Sequence, residues 1–156
     1  MDIPAHADRM LFVSLPVADL ERSKAFFAQL GFSFNPLFSG ETAACMLVGE
    51  QAFVMLGTRE SVAEHSHRPL ADPATHALAL FSFSVASRDE VDAVGAAALA
   101  AGGTEADGAE DLGFMYSRSF FDLDGHGWQV MWMDPAAAEA GPEEFAAQAQ
   151  DGGAAA

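Results

Sequence analysis

The side chains able to do chemistry in this 156-residue sequence are few and scattered. Five histidines, His6, His65, His67, His76 and His126, are the first candidates for metal ligation, yet none stands in a tight cluster with carboxylates. His65 and His67 follow Glu64 and would share a face on a strand, where positions i and i+2 point the same way. Their stretch is polar, so both read as solvent-facing. Asp122-Leu123-Asp124-Gly125 begins like a calcium loop, but Met133 stands where the bidentate Glu is needed, and a hairpin turn accounts for the run. Cys45 sits in the apolar run TAACMLV, where a thiol behaves as a small buried hydrophobe with a raised pKa. No G-x-S-x-G elbow is present, and no Gly-rich phosphate loop precedes a helix.

The remaining candidates lie in two late strand-like runs. On a strand, Phe114, Tyr116, Arg118 and Phe120 share one face, and Met115, Ser117, Ser119 and Phe121 the other. In the next run Gln129, Met131 and Met133 oppose Trp128, Val130 and Trp132. The two tryptophans read as packing beneath a helix. Gln129 is different: an amide among apolar neighbours needs hydrogen-bond partners if buried, and lining a ligand cavity would give it a purpose.

The elements that position these residues form an internal repeat. Leu11–Val17 is a strand-like run, followed by Asp19 as helix cap, apolar residues at helical spacing from Leu20 to Leu30, and Gly31 as terminator. Leu78–Val85 repeats the pattern, with Ser87 and Glu90 as a capping box, Val91, Val94, Ala98 and Leu99 as the helix face, and Gly102-Gly103 at its end. Val17 maps onto Val85, 68 positions later (17 to 85). Strand-like runs follow each helix: Phe32–Phe38, Thr42–Val48 and Ala52–Leu56 in the first half, then a run near Gly103, Phe114–Phe121 and Trp128–Met133 in the second. Asp124-Gly125 predicts a hairpin between the last two. The expectation is an α+β protein of two β-α-β-β-β modules, 1–58 and 76–135, whose curled mixed sheets surround a shared cavity. A linker, 59–75, and an Ala/Glu/Gly-rich tail, 136–156, complete the chain.

Composition narrows the function. Apolar residues make up 51% of the chain, with 13 Phe, 7 Met and 2 Trp, which excludes a disordered chain. One cysteine excludes an intramolecular disulfide framework and any multi-Cys metal site. Seven Lys and Arg against 23 Asp and Glu give a net charge of −16; the basic residues are scattered, which argues against binding a phosphate backbone. The opening MDIPAHADRMLFVSLPV has no basic stretch ahead of an apolar run, and no run approaches the length of a membrane span, so neither secretion nor membrane insertion is expected. The expected location is the cytoplasm.

The doubled module, LFVSLPVADLERSKAFFAQLGF and FFDLDGHGWQVMWMDP resemble the vicinal oxygen chelate superfamily of glyoxalase I, extradiol dioxygenases and bleomycin-resistance proteins. GETAACM and DLGFMYSRSF are similar to its bacterial branch known as predicted lactoylglutathione lyase. The resemblance covers about Met10 to Pro135 and implies four metal-ligating positions, falling here at Phe12, Met55, Leu80 and Gln129. A phenyl ring and an isobutyl group cannot ligate; a thioether and an amide are poor ligands for hard or borderline divalent ions. The expectation is therefore a cavity protein with no metal and no cofactor that binds a small apolar or aromatic molecule. Its pocket would be lined by Phe12, Met55, Leu80, Phe114, Tyr116 and Gln129. The alternative is a divalent-metal-dependent glyoxalase-like lyase or dioxygenase. If the chain is an enzyme it falls in one of those classes, but no residue presents itself as a catalytic base. The resemblance also implies a homodimer.

Overall fold

A computed structural model describes residues 8–152, with side chains described up to 147. His6, the start of the first module and the last residues of the tail lie outside the described residues. The chain divides into two units, residues 1–78 with Leu123–Gly125, and residues 79–122 with 126–156.

In the first unit, strand β1 (Leu11–Val17) leads into helix α1 (Leu20–Gln29). The Asp19 carboxylate accepts from the Arg22 backbone N–H at 3.0 Å and caps the helix as expected. Strands β2 (Ser33–Asn35), β3 (Ala43–Gly49) and β4 (Ala52–Thr58) complete a four-stranded mixed sheet in the order β1-β4-β3-β2, with β1 and β4 parallel. The run expected as one strand, Phe32–Phe38, breaks after three residues into a 3-10 turn, Pro36–Phe38. Pro36 brings no N–H to a ladder, and the Asn35 side chain accepts from Leu37 N–H at 3.0 Å, so the turn is locally favoured. Alternation along the strands places Leu15, Val17, Met46, Val54 and Leu56 on the face that α1 covers, where Phe26 and Phe27 are buried and meet edge to face at 5.0 Å.

The segment expected as a linker opens with a helix, α2 (Arg59–Ser66), immediately after β4. Thr58 caps it by accepting from Ser61 N–H. Helix α2 packs on β1 and β4. Later in the segment, Arg59 donates to the Leu70 and Ala71 carbonyls. The turn 123–125 groups with this unit: Asp124 accepts from Ala18 N–H at 2.8 Å and from the Ser23 hydroxyl at 3.2 Å. Gly125 has φ +99, and a Cβ there would stand 2.6 Å from the Pro73 carbonyl oxygen, so only glycine fits.

The second unit repeats the plan. Strand β5 (Leu80–Ser84) is shorter than the expected Leu78–Val85, and helix α3 (Arg88–Ala100) follows. Ser87 accepts from Glu90 N–H, while the Glu90 carboxylate reaches back to Ala86 N–H at 2.8 Å. Strands β6 (Thr104–Asp111), β7 (Met115–Phe121) and β8 (Gly127–Met133) give the order β5-β8-β7-β6, again with the first and last strands parallel. Every residue of β6, an edge strand, is exposed. At the end of the β7–β8 hairpin Asp122 is buried, and its carboxylate accepts from His126 N–H and Trp128 Nε1–H, each at 3.0 Å. Helix α3 covers the face bearing Phe120, Trp128 and Val130. The tail forms two helices, α4 (Pro135–Ala140), whose Ala137 is buried, and α5 (Pro142–Gly152).

Candidate functional site

The parallel strand pairs carry the same register in both units: Ser14 faces Met55 across β1 and β4, and Ser82 faces Gln129 across β5 and β8. Phe12 and Leu80 each lie two residues earlier on the same face. Each pair of expected pocket residues, Phe12 with Met55 and Leu80 with Gln129, therefore sits on the sheet face turned away from α1 or α3.

On the second sheet this open face holds a recess of about 170 Å³ that spans all four strands, lined by Leu80, Ser82, Ala106, Ser119, Phe121 and Gln129 among others. None of the lining side chains is charged. Gln129 is half-buried, its Oε1 accepting from the Ser82 hydroxyl at 3.2 Å and its Nε2 donating to Ser117 Oγ at 3.3 Å. Two serines thus engage the amide and fix which end faces which strand, and one amide N–H of Gln129 and the Ser119 hydroxyl make no hydrogen bond within the described residues. Leu80 is 84% exposed beside this polar strip.

Tyr116 and Arg118 lie on the other face, beneath α3. The Tyr116 hydroxyl donates to Asp92 at 2.8 Å, and that hydrogen bond, followed by desolvation and the carboxylate's charge, holds the phenol above its ordinary pKa. Arg118 reaches Glu105 at 3.4 Å and stands where a Cβ on Gly95 of α3 would touch it. Arg88 lies 5.1 Å from the centres of both the Tyr116 and Trp132 rings and forms a bidentate pair with Asp111 at 2.7 and 3.0 Å. Hydrogen bonding to Arg88 pulls the Asp111 carboxyl below its usual range. Tyr116 is therefore not brought together with Gln129. Phe114 precedes β7, its carbonyl accepting from Asp134 N–H at 2.7 Å.

On the first sheet, Phe12 stacks on Phe53 at 4.9 Å on the open face and is 53% exposed. At the other end of the same face α2 closes a second pocket of about 230 Å³, lined by Ser14, Ala43, Met55, Gly57, Ser61, Val62 and His65. His65, expected as a solvent-facing linker residue, is exposed but stands on this pocket wall. The polar composition of 59–75 concealed the helix that carries it. The cap signal was present in Thr58 and Ser61, with Glu60 favourable in the first turn. Burial pushes the Cys45 thiol up, as its apolar run predicts.

The donor set of a divalent-metal site does not fit the four corresponding positions, which offer one thioether and one serine-bonded amide. Among the described residues no group of three or more His, Cys, Asp or Glu could hold a metal ion. No helix among them is long and apolar enough to cross a membrane.

The fold is that of structures named for glyoxalases, bleomycin resistance proteins and dioxygenases. A hypothetical protein from Staphylococcus aureus is 26% identical, with a TM-score of 0.68, over 82% of this chain and 95% of its own. A glyoxalase/bleomycin resistance protein/dioxygenase family enzyme from Burkholderia phytofirmans is 17% identical (TM-score 0.65; 78% and 96%). A glyoxalase-related enzyme from Fulvimarina pelagi is 18% identical (TM-score 0.68; 80% and 88%). No curated protein gives a sequence match. Residues 9–49 match the family described as bleomycin resistance protein-like N-terminal. These likenesses show the fold, and the match over residues 9–49 agrees with the resemblance read from the sequence.

Proposed function

We propose that this protein binds a small, neutral apolar or aromatic molecule on the open sheet face bearing Leu80 and Gln129, without a divalent metal. The observation that carries the reading is the Gln129 amide, held between Ser82 and Ser117 in a recess with no charged lining. Such a site favours a neutral molecule with one hydrogen-bonding group, since an ionised ligand would lose its hydration without a compensating charge. Phe12 and Met55 give the first sheet a corresponding apolar surface. The exposure of Leu80 and Phe12 supports a homodimer in which such faces are covered, and the acidic, single-cysteine composition supports a cytoplasmic location.

Native mass spectrometry of freshly purified protein, paired with elemental analysis after dialysis, tests the reading. The expected result is a bound organic mass with no stoichiometric metal. Gln129→Leu should keep the fold and weaken that ligand by about 1–2 kcal/mol. About one Ni, Zn, Fe or Mn per chain, lost on mutating Gln129, would overturn the metal-free reading in favour of a divalent-metal-dependent protein.

A further inference from the structure

The pocket beneath α2 differs from the Gln129 recess because it contains a base. His65 Nδ1 donates to the Ser61 carbonyl oxygen at 2.9 Å, one helical turn earlier. A carbonyl can only accept, so the neutral ring carries its proton on Nδ1 and presents Nε2 as a bare acceptor. No hydrogen bond within the described residues engages Nε2. The other polar lining groups are the Ser14 and Ser61 hydroxyls; Ala43, Met55, Gly57 and Val62 make the rest apolar.

The charged surroundings are sparse. Strands β1 and β4, against which α2 packs, contain no titratable side chain, and neighbouring β3 has only Cys45, kept neutral by burial. On α2 itself, helical spacing sets Ser61 and Val62 on the His65 face and turns Arg59, Glu60 and Glu64 elsewhere. His67 and Arg68 follow beyond the helix end. The pocket volume, about 230 Å³, suits one ring: a dry cavity of about 150 Å³ accepts benzene.

We propose that the α2 pocket binds a single-ring molecule through a neutral hydroxyl that donates to His65 Nε2, with Met55 and Val62 against the ring. This goes beyond the Gln129 reading and can stand or fall separately from it.

The test compares p-cresol with toluene, which differ by the hydroxyl, in calorimetric titrations of the full-length protein at pH 8. There p-cresol should bind about three- to tenfold tighter than toluene, the value of one net hydrogen bond. His65→Phe, which removes the acceptor, should bind both probes equally. His65→Gln, which keeps an acceptor, should retain the preference. His65 is exposed, and thermal melts of both variants should match the wild type. Equal affinities in the wild type, no binding of either probe, or a preference that survives in His65→Phe overturns the proposal. Probe binding abolished by Gln129→Leu but untouched by His65→Phe would also overturn it, placing the probe in the other recess and leaving the Gln129 reading intact.

Discussion

The two units share one backbone plan and differ in what each puts on its two sheet faces. Beneath α1 the first sheet is apolar, with Phe26, Phe27, Met46 and Leu56 buried. Beneath α3 the second mixes buried Phe120, Trp128 and Val130 with a polar seam of Asp92, Glu105, Tyr116 and Arg118. On the opposite faces the contrast runs the same way. The first open face carries Met55 and stacked phenyl rings and is partly closed by α2, whereas the second carries the neutral polar strip around Gln129. A repeated topology fixes where side chains point, and substitution on those fixed vectors decides which face is core and which can bind.

If the helix-side contrast is real, the two seams should answer mutation differently. Phe26→Ala should cost about 3–5 kcal/mol in urea unfolding, as loss of a buried ring does. Arg118→Met, which keeps the aliphatic bulk of a side chain only 19% exposed, should cost less than about 1 kcal/mol, because Asp92 and Glu105 remain in contact with water. Equal costs would mean the polar seam is as structural as the apolar one. Asp122→Ala comes next, at about 2–4 kcal/mol, since it leaves the buried His126 N–H and Trp128 Nε1–H without their acceptor.

The repeat itself was legible because its signals are local. Asp19 and Ser87, with Gly31 and Gly102 at positive φ beyond each helix, announce both helices, and short apolar runs announce most of the strands. Gln129 was also legible, as an amide out of place among apolar residues. Helix α2 was not, because its eight residues bury no side chain of their own and its stability comes from packing on β1 and β4. His65 was lost with it. Tyr116 shares strand parity with Arg118, but only the position of α3 shows that this parity is the covered one.

Smaller effects probe how alike the repeats remain. Asp19→Ala and Ser87→Ala should each lower thermal stability by about 1 kcal/mol, the usual value of an N-cap; a marked inequality would show that one helix depends on its cap more than on its packing. The smallest effect is a titration. Asp111, held down by Arg88, should show an NMR midpoint below the ordinary carboxyl range, returning towards it in Arg88→Ala. Since the folded-state pKa is the lower one, the pair's stabilisation is present above the unfolded-state value and fades as pH falls through the folded-state value.

Strand β6 has a consequence for how the protein behaves in a tube. An uncovered strand offers its free backbone groups to any second strand, including one from a sister molecule. Here that border carries Glu105, Asp107, Glu110 and Asp111 within eight residues, on a chain of net charge −16, so neighbouring molecules repel one another edge to edge. The guard is made of protons withheld. Near the sequence pI of about 4.3 the net charge of the chain falls to zero, the repulsion lapses, and acidified solutions should turn cloudy while the individual molecules are still folded.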